Sequence, residues 1–234
     1  MGEKGQWEVI ERLRGGLVVS CQAPEGSPLA RPEVLAAMAA AAVEGGAVGI
    51  RADSPTHIAA IRRVVSVPII GIYKQGERSP DRVYITPTFE AAQAIAEAGA
   101  DIIALDATPR ARPAGLTAGE LIQRIHEELG LPVMADVSTC QEGVEAASAG
   151  ADLVATTLAG YTPYSRQLED WDRELLRELK AAIEAPVVVE GRVHSPQDAC
   201  EALAMGAYAV VVGTAITRPD WLTAQYVAAM REVA

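Results

Sequence analysis

Four stretches of the chain share one pattern, in which an alanine-rich segment ends at a glycine and an apolar run follows. They are EGGAVGIRA (44–52), EAGADIIALDA (97–107), SAGADLVATTLAG (148–160) and AMGAYAVVVGTA (204–215). Glycine readily closes a helix, so the pattern predicts a helix that ends at the glycine and a buried strand after it. The repeated glycines, Gly46, Gly99, Gly150 and Gly206, are too far apart for one strand–helix unit and fit two.

The units between these repeats carry a second signature. VPIIGIYK (67–74), LPVMADVS (131–138) and APVVVEGR (185–192) each place a proline before a β-branched run, at the start of a strand where no ladder hydrogen bond is lost. GGLVVSCQA (15–23) supplies one more strand, which brings the count to eight. A helical segment follows each strand, and several open with capping signals such as Thr117–Glu120.

Eight strand–helix units without a linker predict an α/β fold, a single (β/α)8 TIM barrel spanning 1–234. WEVIERL (7–13) is interpreted as an extra N-terminal helix that closes the bottom. A doubly wound open sheet is the alternative architecture.

Charged side chains stand at the C-terminal ends of these apolar strands. Lys74, Asp136, Glu190 and Arg192 all lie at even offsets from the proline that opens their strand. Side chains on a strand alternate between faces, so these four share one face. In a barrel that face, at the strand tips, is the mouth where active sites form.

Four other strands add to the predicted rim. Arg51 and Asp106 lie at odd offsets from their helix-ending glycines and therefore share a face, and Gln22 ends the first strand. After the last strand come Gly213, Thr214 and Arg218, a glycine-rich turn of the kind that holds phosphate through backbone amides. The alternative is that these charged side chains form a structural ring of ion pairs with no catalytic role. Burying so many charges is costly, and buried charges are usually retained for function, which favours an active site.

The charge balance limits the range of partners. With 31 acidic and 20 basic side chains, the net charge of −11 disfavours binding to nucleic acid or to an anionic membrane. Three cysteines without metal-ligand spacing, and no apolar run of membrane-spanning length, favour a cytoplasmic protein with reduced thiols. The expected partner is a small molecule.

Several strings together resemble one enzyme family. They are VSCQA (19–23), GGAVGIRA (45–52), IIGIYK (69–74), ITPT (85–88), DATPRARP (106–113), MADVST (134–139), GYTPYS (160–165), EGRVHSP (190–196) and VVGTAITRP (211–219). The chain is similar over 15–220 to the N-acetylmannosamine-6-phosphate 2-epimerases. The resemblance implies interconversion of N-acetylmannosamine 6-phosphate and N-acetylglucosamine 6-phosphate, in amino-sugar and sialic acid breakdown, without a metal or organic cofactor.

The resemblance also implies a set of site residues. Lys74 and Glu190 are the expected catalytic pair, with Lys74 as acid/base at C2 and Glu190 serving either ring opening or the opposite face of C2. The substrate-binding residues that the resemblance implies are Gln22, Arg51, Asp136 and Arg218. Arg192, Gly213 and Thr214 join them because of their strand and turn positions. The segment PLARPEVL (28–35) departs from the family pattern.

Proton removal by a lysine needs surroundings that favour the neutral amine, and Arg51 is the expected cationic neighbour. Three other functions stay open: a Schiff-base aldolase, a metal-dependent sugar-phosphate epimerase, and a barrel that senses sugar phosphate without catalysis. His57 is interpreted as a surface residue. The last helix, PDWLTAQYVAAMREV (219–233), is apolar on more than one face and is compatible with a homodimer.

Overall fold

A computed structural model describes residues 8–24 and 26–231. Its eight parallel strands close into a barrel, because β1 pairs with β2 on one side and with β8 on the other. The strands are β1 (Leu17–Cys21), β2 (Gly49–Asp53), β3 (Ile69–Ile72), β4 (Ile102–Asp106), β5 (Val133–Asp136), β6 (Leu153–Ala155), β7 (Val187–Glu190) and β8 (Ala209–Val212). The predicted TIM barrel is confirmed, and the open sheet is wrong.

Helices follow the strands around the outside. They are α1 (described over 8–11), α2 (Pro32–Glu44), α3 (Pro55–Arg62), α4 (Phe89–Glu97), α5 (Ala118–Leu129), α6 (Cys140–Ser148), α7 (Arg173–Ala182), α8 (Pro196–Ala204), α9 (Thr214–Thr217) and α10 (Pro219–Arg231). A 3-10 turn, Pro113–Gly115, lies between β4 and α5. No helix within the described ranges is long and apolar enough to cross a membrane.

The local signals in the sequence act as predicted. Thr117 and Thr139 each open a helix with a complete capping box, and Ser195 does the same with Asp198 as its acidic partner. The four repeated glycines all have positive φ, between 90° and 103°, just after their helices end. Glycine adopts that conformation without strain, so it ends each helix and turns the chain into the next strand.

Two aspartates that follow these glycines fix the starts of neighbouring strands. A carboxylate oxygen of Asp101 accepts the backbone N–H of Ile69, at 2.8 Å, and pairs with Arg62. A carboxylate oxygen of Asp152 likewise accepts the backbone N–H of Val133, also at 2.8 Å. Each carboxylate holds the first residue of the strand beside it, so β3 and β5 start from fixed points at the bottom of the barrel.

The apolar core has two layers. Inside the barrel, residues such as Ile70, Met134 and Val211 are fully or almost fully buried, and Ile10 and Leu13 close the bottom beneath them. The second layer lies between the strands and the helices. Apolar side chains therefore fill the lower part of the barrel interior. Polar side chains that point inward lie at the upper end, where the strands finish.

Candidate active site

A cavity of about 880 Å³ opens at the C-terminal ends of the strands. Its wall includes Arg51, Lys74, Glu190 and Arg192, four of the six ionisable groups predicted at the rim, together with Gln22. Gly213, Thr214 and Arg218 line it too. Side chains from distant parts of the chain thus face one space, because alternate residues of every strand point into the barrel.

Arg51 lies at the base of this cavity, between two carboxylates. Its side chain is 1% exposed and donates to both oxygens of Asp136, at 3.0 and 2.6 Å. The same guanidinium contacts Glu190 at 2.9 Å. Burial would lower the pKa of Arg51, but the charges of Asp136 and Glu190 raise it above its usual value, so the guanidinium stays charged.

Asp136 is fully buried, and the residues that its carboxylate contacts line the cavity. Besides Arg51, it contacts Thr157, whose hydroxyl donates to an Asp136 oxygen at 2.7 Å. The Thr157 oxygen is also 3.2 Å from a carboxylate oxygen of Glu190. A single hydroxyl thereby joins the two acids, and Asp136 fixes the positions of Arg51 and Thr157.

The surroundings of Glu190 make it a group that can exchange a proton near neutrality. Its side chain is 13% exposed. Burial raises the pKa of Glu190 to about 7, and the negative charge of Asp136 adds to the rise, whereas Arg51, Thr157 and Lys74 oppose it. A carboxyl with a pKa near the working pH can donate a proton in one step and accept one in another.

Lys74 approaches the cavity from the segment after β3. Its Nζ donates to the side-chain oxygen of Gln22, and lies 3.5 Å from a carboxylate oxygen of Asp53. Gln22 is held in turn by its amide, which donates to the Ser20 hydroxyl at 2.7 Å. The close neighbours of the amine are thus an amide and a carboxylate, whereas Arg51, the neighbour expected from the sequence, pairs with Asp136 and Glu190.

The segment that follows β8 carries the residues predicted to hold phosphate, and they line the same cavity. Gly213 precedes the short helix α9, and Thr214 is its first residue. The first N–H groups of a helix have no partner within the helix and can bind an anion. Arg218 follows α9 and is 29% exposed; its guanidinium is held at 2.8 Å by Asp220.

Arg192 has a different environment from the other cations. It donates to the backbone oxygens of Ala159 and Gly160, the latter at 2.9 Å, and its guanidinium lies 4.2 Å from the centre of the Tyr161 ring. Arg78 lies over the same ring at 4.6 Å. Arg192 therefore holds the loop between β6 and α7 against the cavity.

The structure corrects two of the sequence interpretations. Asp106 does not join the cavity wall, because its buried carboxylate is bound by Thr108 and Arg110 within the loop that follows β4. His57 is not a surface residue: it is half-buried, lines the cavity, and lies 3.2 Å from the backbone oxygen of Ala30. The position of a residue along a strand indicates which face its side chain is on. It does not indicate how deeply the side chain is buried or which residue it binds.

Several residues of the cavity wall were not predicted. Thr157, Asp53 and Tyr84 all line the wall. Asp53 follows Arg51 by two positions, so the strand periodicity already placed it on the same face. Thr157 and Tyr84 lie in irregular segments, where no periodic signal exists.

Within residues 8–24 and 26–231, no three His, Cys, Asp or Glu side chains are grouped so that they could hold a metal ion.

The fold and these groups define a (β/α)8-barrel enzyme with acid–base side chains at its mouth. A family model described as "Putative N-acetylmannosamine-6-phosphate epimerase" matches residues 35–232. The chain belongs to the N-acetylmannosamine-6-phosphate epimerase family.

Relatives match over almost the whole chain. Proteins named "Putative N-acetylmannosamine-6-phosphate 2-epimerase" are 50% identical in Caldanaerobacter subterraneus subsp. tengcongensis, over 97% of this chain and 96% of the relative, and 53% identical in Thermosynechococcus vestitus, over 94% and 95%. The solved structure of the N-acetylmannosamine-6-phosphate 2-epimerase from Clostridium perfringens is 43% identical, covers 93% of this chain and 94% of its own, and superimposes with a TM-score of 0.89.

The raised pKa of Glu190 predicts how stability depends on pH. The folded protein keeps this proton up to about pH 7, whereas the unfolded chain releases it near the usual 4.5. Between these values the folded state binds more protons, so the free energy of unfolding falls as pH rises, with a limiting slope of about 1.4 kcal/mol per pH unit from this group.

Urea unfolding of the wild type and Glu190→Gln between pH 4.5 and 8 measures this contribution. The wild type should lose stability relative to the variant as pH rises through that window. Parallel curves for the two proteins would show that Glu190 has an ordinary carboxyl pKa.

Proposed function

We propose that this chain interconverts N-acetylmannosamine 6-phosphate and N-acetylglucosamine 6-phosphate by moving the proton at C2. The observation that carries the proposal is the pairing, in one cavity, of an amine (Lys74) with a carboxyl whose pKa is near 7 (Glu190). Membership of the epimerase family supports the choice of substrate. The proposal includes a place in amino-sugar breakdown, which the family membership supports, and a cytoplasmic location, which the free cysteines Cys21, Cys140 and Cys200 support.

The reaction starts with the open-chain aldehyde, since only that form has a carbonyl next to C2. Lys74 removes the C2 proton, and the electron pair of the C–H bond moves toward C1 and its oxygen to give an enolate. Return of a proton to the opposite face of C2 restores the aldehyde with inverted configuration. Hydrogen moves only as a proton, so the proposed step needs no redox cofactor.

Glu190 is the second acid/base of this proposal. Its pKa of about 7 allows it to carry a proton at neutral pH and to release it within the same cycle. Arg51 holds it from one side at 2.9 Å, and Thr157 lies 3.2 Å from it. Arg51 and Asp136 accordingly contribute by fixing the position and charge of Glu190. The Gln22 oxygen accepts from Lys74 and one amide N–H donates to Ser20, so its second amide N–H is the donor proposed for the acetamido or hydroxyl groups.

In this proposal the 6-phosphate binds to the segment that follows β8. The amides at Gly213 and Thr214 and the guanidinium of Arg218 supply hydrogen-bond donors there. Binding energy from a group remote from C2 can orient the sugar for proton transfer. Arg192, through its hold on the loop of Tyr161, shapes part of the cavity wall.

Lys74→Ala is expected to abolish exchange of the C2 proton with solvent, because it removes the base. Proton NMR of N-acetylmannosamine 6-phosphate in D2O, with the variant and with the wild type, measures deuterium incorporation at C2. Lys180→Ala is the matched control, since that amine lies on the outside and donates to the Gly206 backbone oxygen.

Exchange at the wild-type rate in Lys74→Ala would contradict the assignment. A covalent adduct trapped by borohydride on Lys74 would instead favour the Schiff-base aldolase. Loss of exchange on treatment with a chelator would favour a metal-dependent epimerase, and absence of any turnover by the wild type would favour the sensing barrel.

Arg218→Ala is expected to raise KM for the phosphorylated sugar by about 10- to 100-fold, because a hydrogen bond to a charged group stabilises a complex by about 1.5–3 kcal/mol. The change in kcat should be smaller. Arg177→Ala, which removes an exposed arginine paired with Glu174, is the control. An unchanged KM in steady-state kinetics would place the phosphate elsewhere.

The last helix supports a homodimer as part of this proposal. None of the residues of α10 is buried, and Leu222, Tyr226 and Met230, one helical turn apart, are 43%, 67% and 68% exposed. A helix of thirteen residues is marginal in water without packing on an apolar face. A second copy, presenting the same stripe, would cover it.

Sedimentation of the wild type is therefore expected to give twice the chain mass of 24.6 kDa. Tyr226→Asp combined with Met230→Asp should shift the protein toward the single-chain mass, whereas Val64→Asp, at an exposed apolar residue of another segment, should not. A wild type that sediments as a single chain would contradict the dimer.

A further inference from the structure

Asp53 contacts Lys74 at two separate points. One carboxylate oxygen accepts the backbone N–H of Lys74, at 3.0 Å, and the other lies 3.5 Å from its Nζ. Asp53 is the last residue of β2 and is paired across the ladder with Ile72, the last residue of β3. Its side chain therefore extends past the end of β3 to the position where Lys74 enters the cavity.

The backbone around Asp53 is held in an unusual conformation. Ser54 has φ 74° and ψ 148°, a region that residues other than glycine rarely occupy. His57 stabilises it, because its Nδ1 lies 2.9 Å from the backbone oxygen of Asp53 and 3.0 Å from the Ser54 hydroxyl. Strain retained beside a cavity is a reason to look for a function in the residue that it positions.

We propose that Asp53 is a positioning residue for Lys74, an inference that rests on the acid/base role proposed for that lysine. Asp53 fixes the backbone from which Lys74 extends and faces its amine with a negative charge. When Lys74 takes the C2 proton, the new ammonium lies beside the Asp53 carboxylate, which stabilises the charge without accepting the proton. Asp53 therefore acts on the reaction only through Lys74.

A similar contact at the other end of the same strand gives a matched control. Asp101 accepts the backbone N–H of Ile69 at 2.8 Å and pairs with Arg62, so it also fixes β3 and faces a cation. It does not line the cavity. If Asp53 only stabilised the fold, substitutions at Asp53 and Asp101 should have the same kinetic effect.

The test compares Asp53→Asn with Asp101→Asn in the C2 exchange assay and in thermal unfolding. Asp53→Asn keeps an oxygen for the Lys74 N–H but removes the charge, and kcat should fall about 10-fold or more while KM stays within about threefold. Asp101→Asn should lower Tm and leave kcat within about twofold. Asp53→Ser should show the same kinetic loss as Asp53→Asn, so the test does not depend on the folding of one variant.

Asp53→Glu, which restores the charge, is expected to recover part of the lost rate. A wild-type kcat in Asp53→Asn, a loss confined to KM, or no recovery in Asp53→Glu would overturn the positioning role. These outcomes differ from failure of the proposed function, in which the wild type itself would not exchange the C2 proton.

Discussion

The candidate site depends on one buried interaction, the contact of Arg51 with Asp136 and Glu190. The three residues come from β2, β5 and β7, so the contact spans the barrel just above its apolar filling. An isolated charge at this depth would be too costly, and removing one partner of such a group typically costs about 3–5 kcal/mol. The guanidinium therefore holds two carboxylates together in a place where neither would be stable alone.

This contact separates two kinds of carboxylate. Asp136 has its oxygens bound by Arg51 and Thr157 and is fully enclosed, whereas Glu190 shares the same cation and hydroxyl but opens onto the cavity. Burial and the charge of Asp136 raise the pKa of Glu190, and Arg51 limits the rise. One carboxylate becomes a fixed support, and the other becomes a group that can transfer a proton.

Sequence reasoning predicted the barrel because its signals are local. A glycine that ends a helix, a proline that opens a strand and a threonine with glutamate three residues later act within a few residues, and the structure contains all of them. Parity along the strands predicted the face of Arg51 and Glu190 correctly. It also predicted the face of Asp106, which pairs with Asp136 across the ladder. Asp106 does not line the cavity, because Arg110, four residues further on, binds its carboxylate. Asp53 lies on the face that the strand periodicity indicates, but its contact with Lys74 joins β2 to the segment after β3, which no local pattern encodes. The same holds for the contacts of Thr157 with Asp136 and Glu190.

The most direct measurement of the central claim is a titration of the Glu190 carboxyl by 13C NMR, with the signal assigned by its absence in Glu190→Gln. A midpoint near pH 7 is expected in the wild type. In Arg51→Met, which removes the cation that opposes the rise, the midpoint should move higher. A wild-type midpoint between about pH 4 and 5, the range of an ordinary glutamate, would contradict the account.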